Sequence, residues 1–244
     1  MKISSGLIAL FTSLIFLSTC SPSTKTETNK TSVYPEIKVV GAMKNVMSNG
    51  ELGGIINIDT ITNKEGLYAI GPKSYLQGEL LVVDGKSYLS TVTSDSTMKV
   101  EQTFDVSAPF LVYGNVNEWK EIQLPSNLKT IQDLETFVDS ASKQMKRPFT
   151  FKLEGQIEKG IIHIQNLAEG SKVSSPKEAH RGQVNYNLEK EDVTIVGFFS
   201  TKHKGIFTHH DSFIHLHLIT ADRNKMGHLD KVEFQTMKLF LPVH

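Results

Sequence analysis

The residues best suited to chemistry lie close together and late in the chain. Five of the nine histidines fall between His209 and His228, in the stretch HHDSFIHLHLITADRNKMGH. His215 and His217 are two apart, so in an extended strand they share one face. Ile214, Leu216 and Leu218 fill the other face, which marks that strand as buried. The chain then turns through the polar segment Ala221 to Gly227, and His228 opens a returning strand that can bring its ring beside the first two. Three neutral imidazoles meeting in this way suit zinc, which binds histidine nitrogen at about 2.0–2.1 Å and keeps further positions open in catalytic sites. Spacing alone leaves a second reading open, in which the histidines sit at the surface or are held by hydrogen bonds, because an H-x-H pair often arises by chance. His209 and His210 are adjacent and would face opposite ways in a strand, so they read as loop residues rather than ligands. Cys20 is the only cysteine. The folded part therefore has no thiolate to offer, and a transition-metal site must use histidine and carboxylate.

Holding such a cluster requires strands, and strand signals dominate. Short apolar or alternating runs occupy 66–70, 75–83, 86–92, 149–153, 160–164, 193–200, 212–220 and 232–241. Asp84-Gly85 between two of them predicts a tight hairpin. The clearest helix is Thr130 to Lys146: Thr130 can cap it, Asp133 stands at the capping-box position, and Leu134, Phe137, Val138 and Ala141 fall on one face. Pro148 ends it. The expected class is α+β, mostly β, with two packed halves of mixed or antiparallel sheet. Residues 35–147 form an N-terminal α+β half. Residues 148–244 form a β-rich half whose partly closed, barrel-like sheet carries the metal site.

The first twenty residues read as an address. Met1-Lys2 gives a positive start, Gly6 to Leu17 an apolar run, and Leu17-Ser18-Thr19-Cys20 the lipobox pattern in which the signal is cut before a lipid-bearing cysteine. The run is too short for a comfortable bilayer span of ~20 apolar residues. Residues 21–34 are Ser, Thr, Lys and Asn with little to bury, and read as a flexible tether. The expected location is thus exported and membrane-anchored, through the lipid alone. Lys and Arg total 26 and Asp and Glu 26, and no basic block is present, so nothing suits a nucleic-acid partner.

HLHLITADRNKMGHL resembles the signature of the alpha-acetolactate decarboxylases, HLHF followed by a third histidine eleven residues after the second. Val196-Gly197-Phe198-Phe199 is similar to the family's I-G-F-Y strand, Lys152-Leu153-Glu154-Gly155 to its K/R-(I/L)-x-G turn, and Leu76-Gln77-Gly78-Glu79-Leu80 to its L-D-G-E segment. The resemblance implies that His215, His217 and His228 bind zinc. It implies that the small-molecule substrate is 2-acetolactate, which loses CO2 to leave acetoin, and that Glu79 delivers the proton. Where the family carries an arginine that grips the substrate carboxylate, ungapped alignment puts His163, with Arg181 and Arg223 as conceivable stand-ins. The family continues past its Leu-Pro strand into a tail bearing a second functional glutamate, for which this sequence, reading Leu241-Pro242-Val243-His244 there, offers no counterpart. The alternative reading is a metal-binding surface lipoprotein of the same fold that acts on, or merely binds, another small oxo- or hydroxy-acid. A homodimer stays open.

If Cys20 carries the lipid, Cys20→Ser moves the protein from the detergent phase to the soluble fraction or stalls signal processing. A wild-type protein recovered wholly in the soluble fraction rejects the anchor.

Overall fold

Alternating apolar residues and tight turns organise the chain into thirteen strands and three short α-helices among the described residues. The computed structural model describes residues 36–243 together with Lys2, so Cys20, the apolar run before it and the 21–34 tether lie outside the described residues. The first elements are β1 (Lys38–Val40), α1 (Met43–Asn49), β2 (Ile56–Asn57), β3 (Leu67–Pro72), β4 (Glu79–Val83), β5 (Lys86–Val92) and β6 (Met98–Gln102). They are followed by β7 (Ser107–Ala108), β8 (Leu111–Asn115), β9 (Trp119–Gln123) and α2 (Ile131–Ala141). The last are β10 (Phe149–Ile164), α3 (Pro176–Ala179), β11 (Val184–Phe199), β12 (Ile214–Thr220) and β13 (Met226–Pro242). Among the described residues, no helix is long and apolar enough to cross a membrane.

Strands β1, β8, β3, β4, β5 and β6 pair in that order as a six-stranded sheet. Strands β10, β11, β12, β13 and β9 form a second, five-stranded sheet, and β10 also pairs with β13, so four strands close into a ring. The two sheets' ladders are antiparallel throughout. Both sheets belong to the compact unit Val33–His244. The fold is α+β and mostly β.

Several local expectations hold for stated reasons. Asp84 and Gly85 take φ of 46° and 72° between β4 and β5, the left-handed pair that a two-residue hairpin requires. Thr130 accepts from the Asp133 amide while the Asp133 side chain accepts from Thr130 N, a complete capping box. Helix α2 ends at Ala141 rather than Lys146, because Ser142 leaves helical ψ and turns follow. Residues 75–83 are not one strand. Tyr75 and Leu76 adopt φ of 63° and 52°, so Ser74–Leu76 is a 3-10 turn and the strand begins only at Glu79. Nor is Lys152 to Gly155 a turn, since β10 runs unbroken from Phe149 to Ile164. A Cβ on Gly155 would meet Thr236 O at 2.1 Å, so this glycine admits the close approach of β13.

Two cores flank the ring. Ile214, Leu216 and Leu218 join Leu153, Ile195 and Leu239, with Leu134 and Val138 of α2, in the larger one. The other lies between the sheets and unites Tyr68, Ile70 and Leu81 with Val196, Phe198, Ile219 and Met226. Alternation along β12 therefore turns His215 and His217, like Ile219, toward the six-stranded sheet.

Gly197 lies opposite Phe151 on the paired strands, and a Cβ there would meet the Phe151 ring at 2.3 Å. Gly197→Ala is expected to cost about 1–3 kcal/mol through overpacking. The melting temperature should fall, and adding Phe151→Leu should restore part of it. An unchanged melt would mean the ring does not cover this glycine.

Candidate active site

The site grows from the β12–β13 hairpin. Its turn is closed by Thr220, whose hydroxyl donates to Asp222 and whose amide donates to Lys225 O. That closure sets His217 directly opposite His228. Ring centres then lie 5.0 Å apart for His215 and His217, 5.1 Å for His215 and His228, and 5.6 Å for His217 and His228. Three imidazoles on one tetrahedral ion, each bound at about 2.0–2.1 Å, would have ring centres roughly 5 Å apart. The donor set fits a metal on a second count. His215 Nδ1 and both nitrogens of His217 are buried without a hydrogen-bond partner. Burial first, then neighbouring imidazoles, holds His215 and His217 well below the usual histidine range. The rings are thus neutral, the form that ligates.

A second layer comes from β10. His163 pairs with His228 across the strands, and the two rings stack at 4.6 Å and 28°. Asp230, two residues beyond His228, accepts from His163 Nδ1 at 2.8 Å and from His228 Nδ1 at 3.0 Å. Burial pushes the Asp230 carboxyl up, but hydrogen bonds from the two imidazoles outweigh it and hold the group well below the usual range. A carboxylate can only accept, so both Nδ1 atoms carry protons. His163 Nε2 then lies 3.3 Å from the Gln165 side-chain amide, and His228 Nε2 points toward His209. His163, His228 and Asp230 place donor atoms within 4.8 Å of one another and could themselves hold a metal ion. Such an ion would have to displace the hydrogen bonds to Asp230. The nitrogens that lack partners belong to His215 and His217, and they favour the position between those rings and His228.

Glu79 arrives from the other sheet. Gly78 precedes it at φ 149°, where a Cβ would strike Ser90 O at 2.6 Å, and this strained step delivers the carboxyl inward. Glu79 Oε2 lies 3.6 Å from His217 Nε2, and Oε1 lies 3.9 Å from His163 Nε2. Oε1 also accepts from the Gln165 amide at 3.2 Å. Burial raises the Glu79 pKa well above the usual carboxylate value, which favours its protonated form.

The structure thus brings His215, His228, His163 and Glu79 into one cleft, walled by Met43, Met47 and Phe110, with His217 fully buried against His215, His228 and Glu79. Asp230 and Gln165 were missed from sequence. His209 does lie in a loop, yet it turns inward: its Nε2 is 3.3 Å from His228 Nε2, and burial pushes its pKa down to about 4. His210 is exposed. Neither conceivable arginine lines the cleft. The side chain of Arg181 is 73% exposed beside Glu178, and Arg223 stacks over Tyr88 at 5.7 Å.

Residues 40–243 match the family model described as alpha-acetolactate decarboxylase. The chain belongs to this family. Among solved structures, an acetolactate decarboxylase from Bacillus subtilis subspecies spizizenii is 26% identical with a TM-score of 0.71, covering 84% of this chain and 85% of that one. An alpha-acetolactate decarboxylase from Bacillus subtilis strain 168 shares the fold at 24% identity and TM-score 0.71, covering 85% and 86% respectively. A Staphylococcus aureus protein of unknown function, similar to alpha-acetolactate decarboxylase, shares it at 17% identity and TM-score 0.71, covering 85% of this chain and 86% of that one. A search of curated protein sequences found no match. The decarboxylase family thus accounts for the fold across both sheets, including the strands that carry the histidines.

Asp230→Ala should release the tautomers of both rings. Nitrogen NMR of the metal-free protein should find His163 and His228 protonated at Nδ1 in the wild type and mixed in the variant. Identical spectra would show that Asp230 does not set them.

Proposed function

We propose that this protein is a zinc-dependent carboxy-lyase that converts 2-acetolactate to acetoin and CO2, with His215, His217 and His228 as the metal ligands. The observation that carries this reading is one arrangement: three buried imidazoles with ring centres 5.0–5.6 Å apart, two of them with unpartnered nitrogens, beside a buried carboxyl whose pKa burial raises. A metal bound there would supply a Lewis acid to hold two substrate oxygens and take up the charge that decarboxylation leaves.

The chain's own residues supply the rest. As the carbon–carboxylate bond breaks, its electron pair stays on the remaining fragment as an enediolate. Glu79 delivers a proton to one face of that carbon and so sets the product's hand; solvent then returns a proton to its carboxylate. His163 is assigned to the substrate carboxylate. With Nδ1 donating to Asp230, its Nε2 faces the site and must itself carry a proton in order to donate to a carboxylate. The apolar wall of Met43, Met47 and Phe110 limits water around the carbanion-like carbon. We further propose that the protein works outside the cytoplasm, anchored through Cys20.

His163 also favours a second reading. An imidazole lacks the two-pronged grip of a guanidinium, so the same metal site could handle a different small oxo- or hydroxy-acid, or only bind one.

His215→Ala, His217→Ala and His228→Ala should each sharply reduce bound zinc, read by metal analysis of the purified protein. Retention of zinc in all three rejects the ligand set. Glu79→Gln should keep zinc while acetolactate turnover falls by ~10²–10⁴ and residual acetoin loses its handedness. Unchanged turnover removes Glu79 from the mechanism. Zinc-loaded wild type that leaves acetolactate intact rejects the decarboxylase and leaves the second reading.

A further inference from the structure

The loop between β11 and β12 carries one more imidazole into the site than the proposed reaction uses. Its neck is closed by the Ser200 amide donating to Phe213 O at 2.8 Å. Its far side is pinned to the start of α1, where the Met43 and Lys44 amides donate to Ile206 O and Gly205 O. Phe207 and Thr208 are buried, and beyond the histidine pair Ser212 and Phe213 bond to Glu135 of α2. His209 is therefore held from both sides. Its ring centre is 5.3 Å from that of His228 and 6.3 Å from that of His215.

The contact between His209 Nε2 and His228 Nε2 measures 3.3 Å. For a nitrogen hydrogen bond that is loose, since such bonds run to about 3.2 Å. It does match the separation of two nitrogens on one tetrahedral zinc, about 3.3–3.4 Å for bonds of 2.0–2.1 Å. Chemistry points the same way. His228 Nδ1 donates to Asp230, so its Nε2 bears the lone pair that a metal would take. A protonated His209 Nε2 would then aim its hydrogen at a cation with no acceptor left. The other tautomer presents a lone pair to the same spot.

Resting on the metal reading above, we infer that His209 is a fourth, displaceable ligand that caps the metal until a chelating substrate arrives. A site with four imidazoles has no open position. A substrate binding through two oxygens must move the His209 ring aside, which a rotation about the side-chain bonds achieves while the anchored loop stays in place. The inference makes the resting site closed and the working site open.

X-ray absorption of the zinc-loaded full chain counts the imidazoles. Four are expected at rest, three in His209→Ala or His209→Gln, and four in His210→Ala. Adding 2-hydroxyisobutyrate, a two-oxygen chelator, should lower the wild-type count from four to three. Zinc affinity should fall about 10–100-fold in both His209 variants, with unchanged melting of the metal-free proteins showing that they fold. Three imidazoles in resting wild type, lost one by one in the β12 and β13 variants, overturn the cap and leave the metal reading intact. No zinc in wild type overturns both. A His209 variant with wild-type zinc affinity and a raised KM overturns the cap as well, because it would make His209 a substrate contact.

Discussion

A buried polar nitrogen without a partner costs on the order of 1–3 kcal/mol, and the middle of β12 carries three of them on His215 and His217. The Glu79 carboxyl, on β4, stops 3.6 Å from His217 Nε2. Leu216 and Leu218 are committed to the ring core, so β12 cannot rotate its histidines away without exposing a core face. The site exists because packing on one side of a strand compels unsatisfied chemistry on the other. Everything nearby can be read as a response: the hairpin that adds His228, the carboxyl of Glu79 brought across from the other sheet, and the loop that turns His209 inward.

Asp230 organises the side of the cleft away from those orphans. One carboxylate receives two imidazoles, on adjacent strands, and so couples the residue facing substrate to a residue facing the proposed metal. Charge is distributed unevenly as a result. Two imidazoles donate to Asp230 at 2.8 and 3.0 Å and hold it ionised. Glu79 lies 3.6 Å or more from its nearest histidine nitrogens, and deeper burial pushes it toward its protonated form. Environment thus treats the two carboxyl groups differently: hydrogen bonds hold one as an anion, and burial favours the protonated form of the other.

Period-two alternation made β12 legible, since apolar 214, 216 and 218 leave no choice for 215 and 217. The capping box of α2 and the Asp84-Gly85 turn were equally local signals. What stayed hidden depended on distant partners. Gly155 looks like a turn until β13 is known to cross it, and the kink at Tyr75 to Gly78 follows from no hydrophobic period. His209 sits in a segment without periodicity, so only the loop's anchors decide which of two adjacent histidines turns inward. Asp230 carried a faint signal, an H-x-D spacing on one strand, but its second partner lies on β10 and no spacing reaches that far.

The closing of the ring through β10 and β13 has a consequence for assembly. The hairpin holding His215, His217 and His228 is local and can form early. His163 comes from β10, 52 residues before His215 along the chain, and Glu79 comes from farther still. Bringing distant segments together is slow, because chain entropy is surrendered before contacts return it. A nascent or unfolded chain can therefore gather three imidazoles long before it owns the acid or the carboxylate bridge. If the proposed metal is bound, ring closure is the step at which a cation gathered by the hairpin would gain its remaining neighbours, so the maturation of the site and the completion of the fold would coincide.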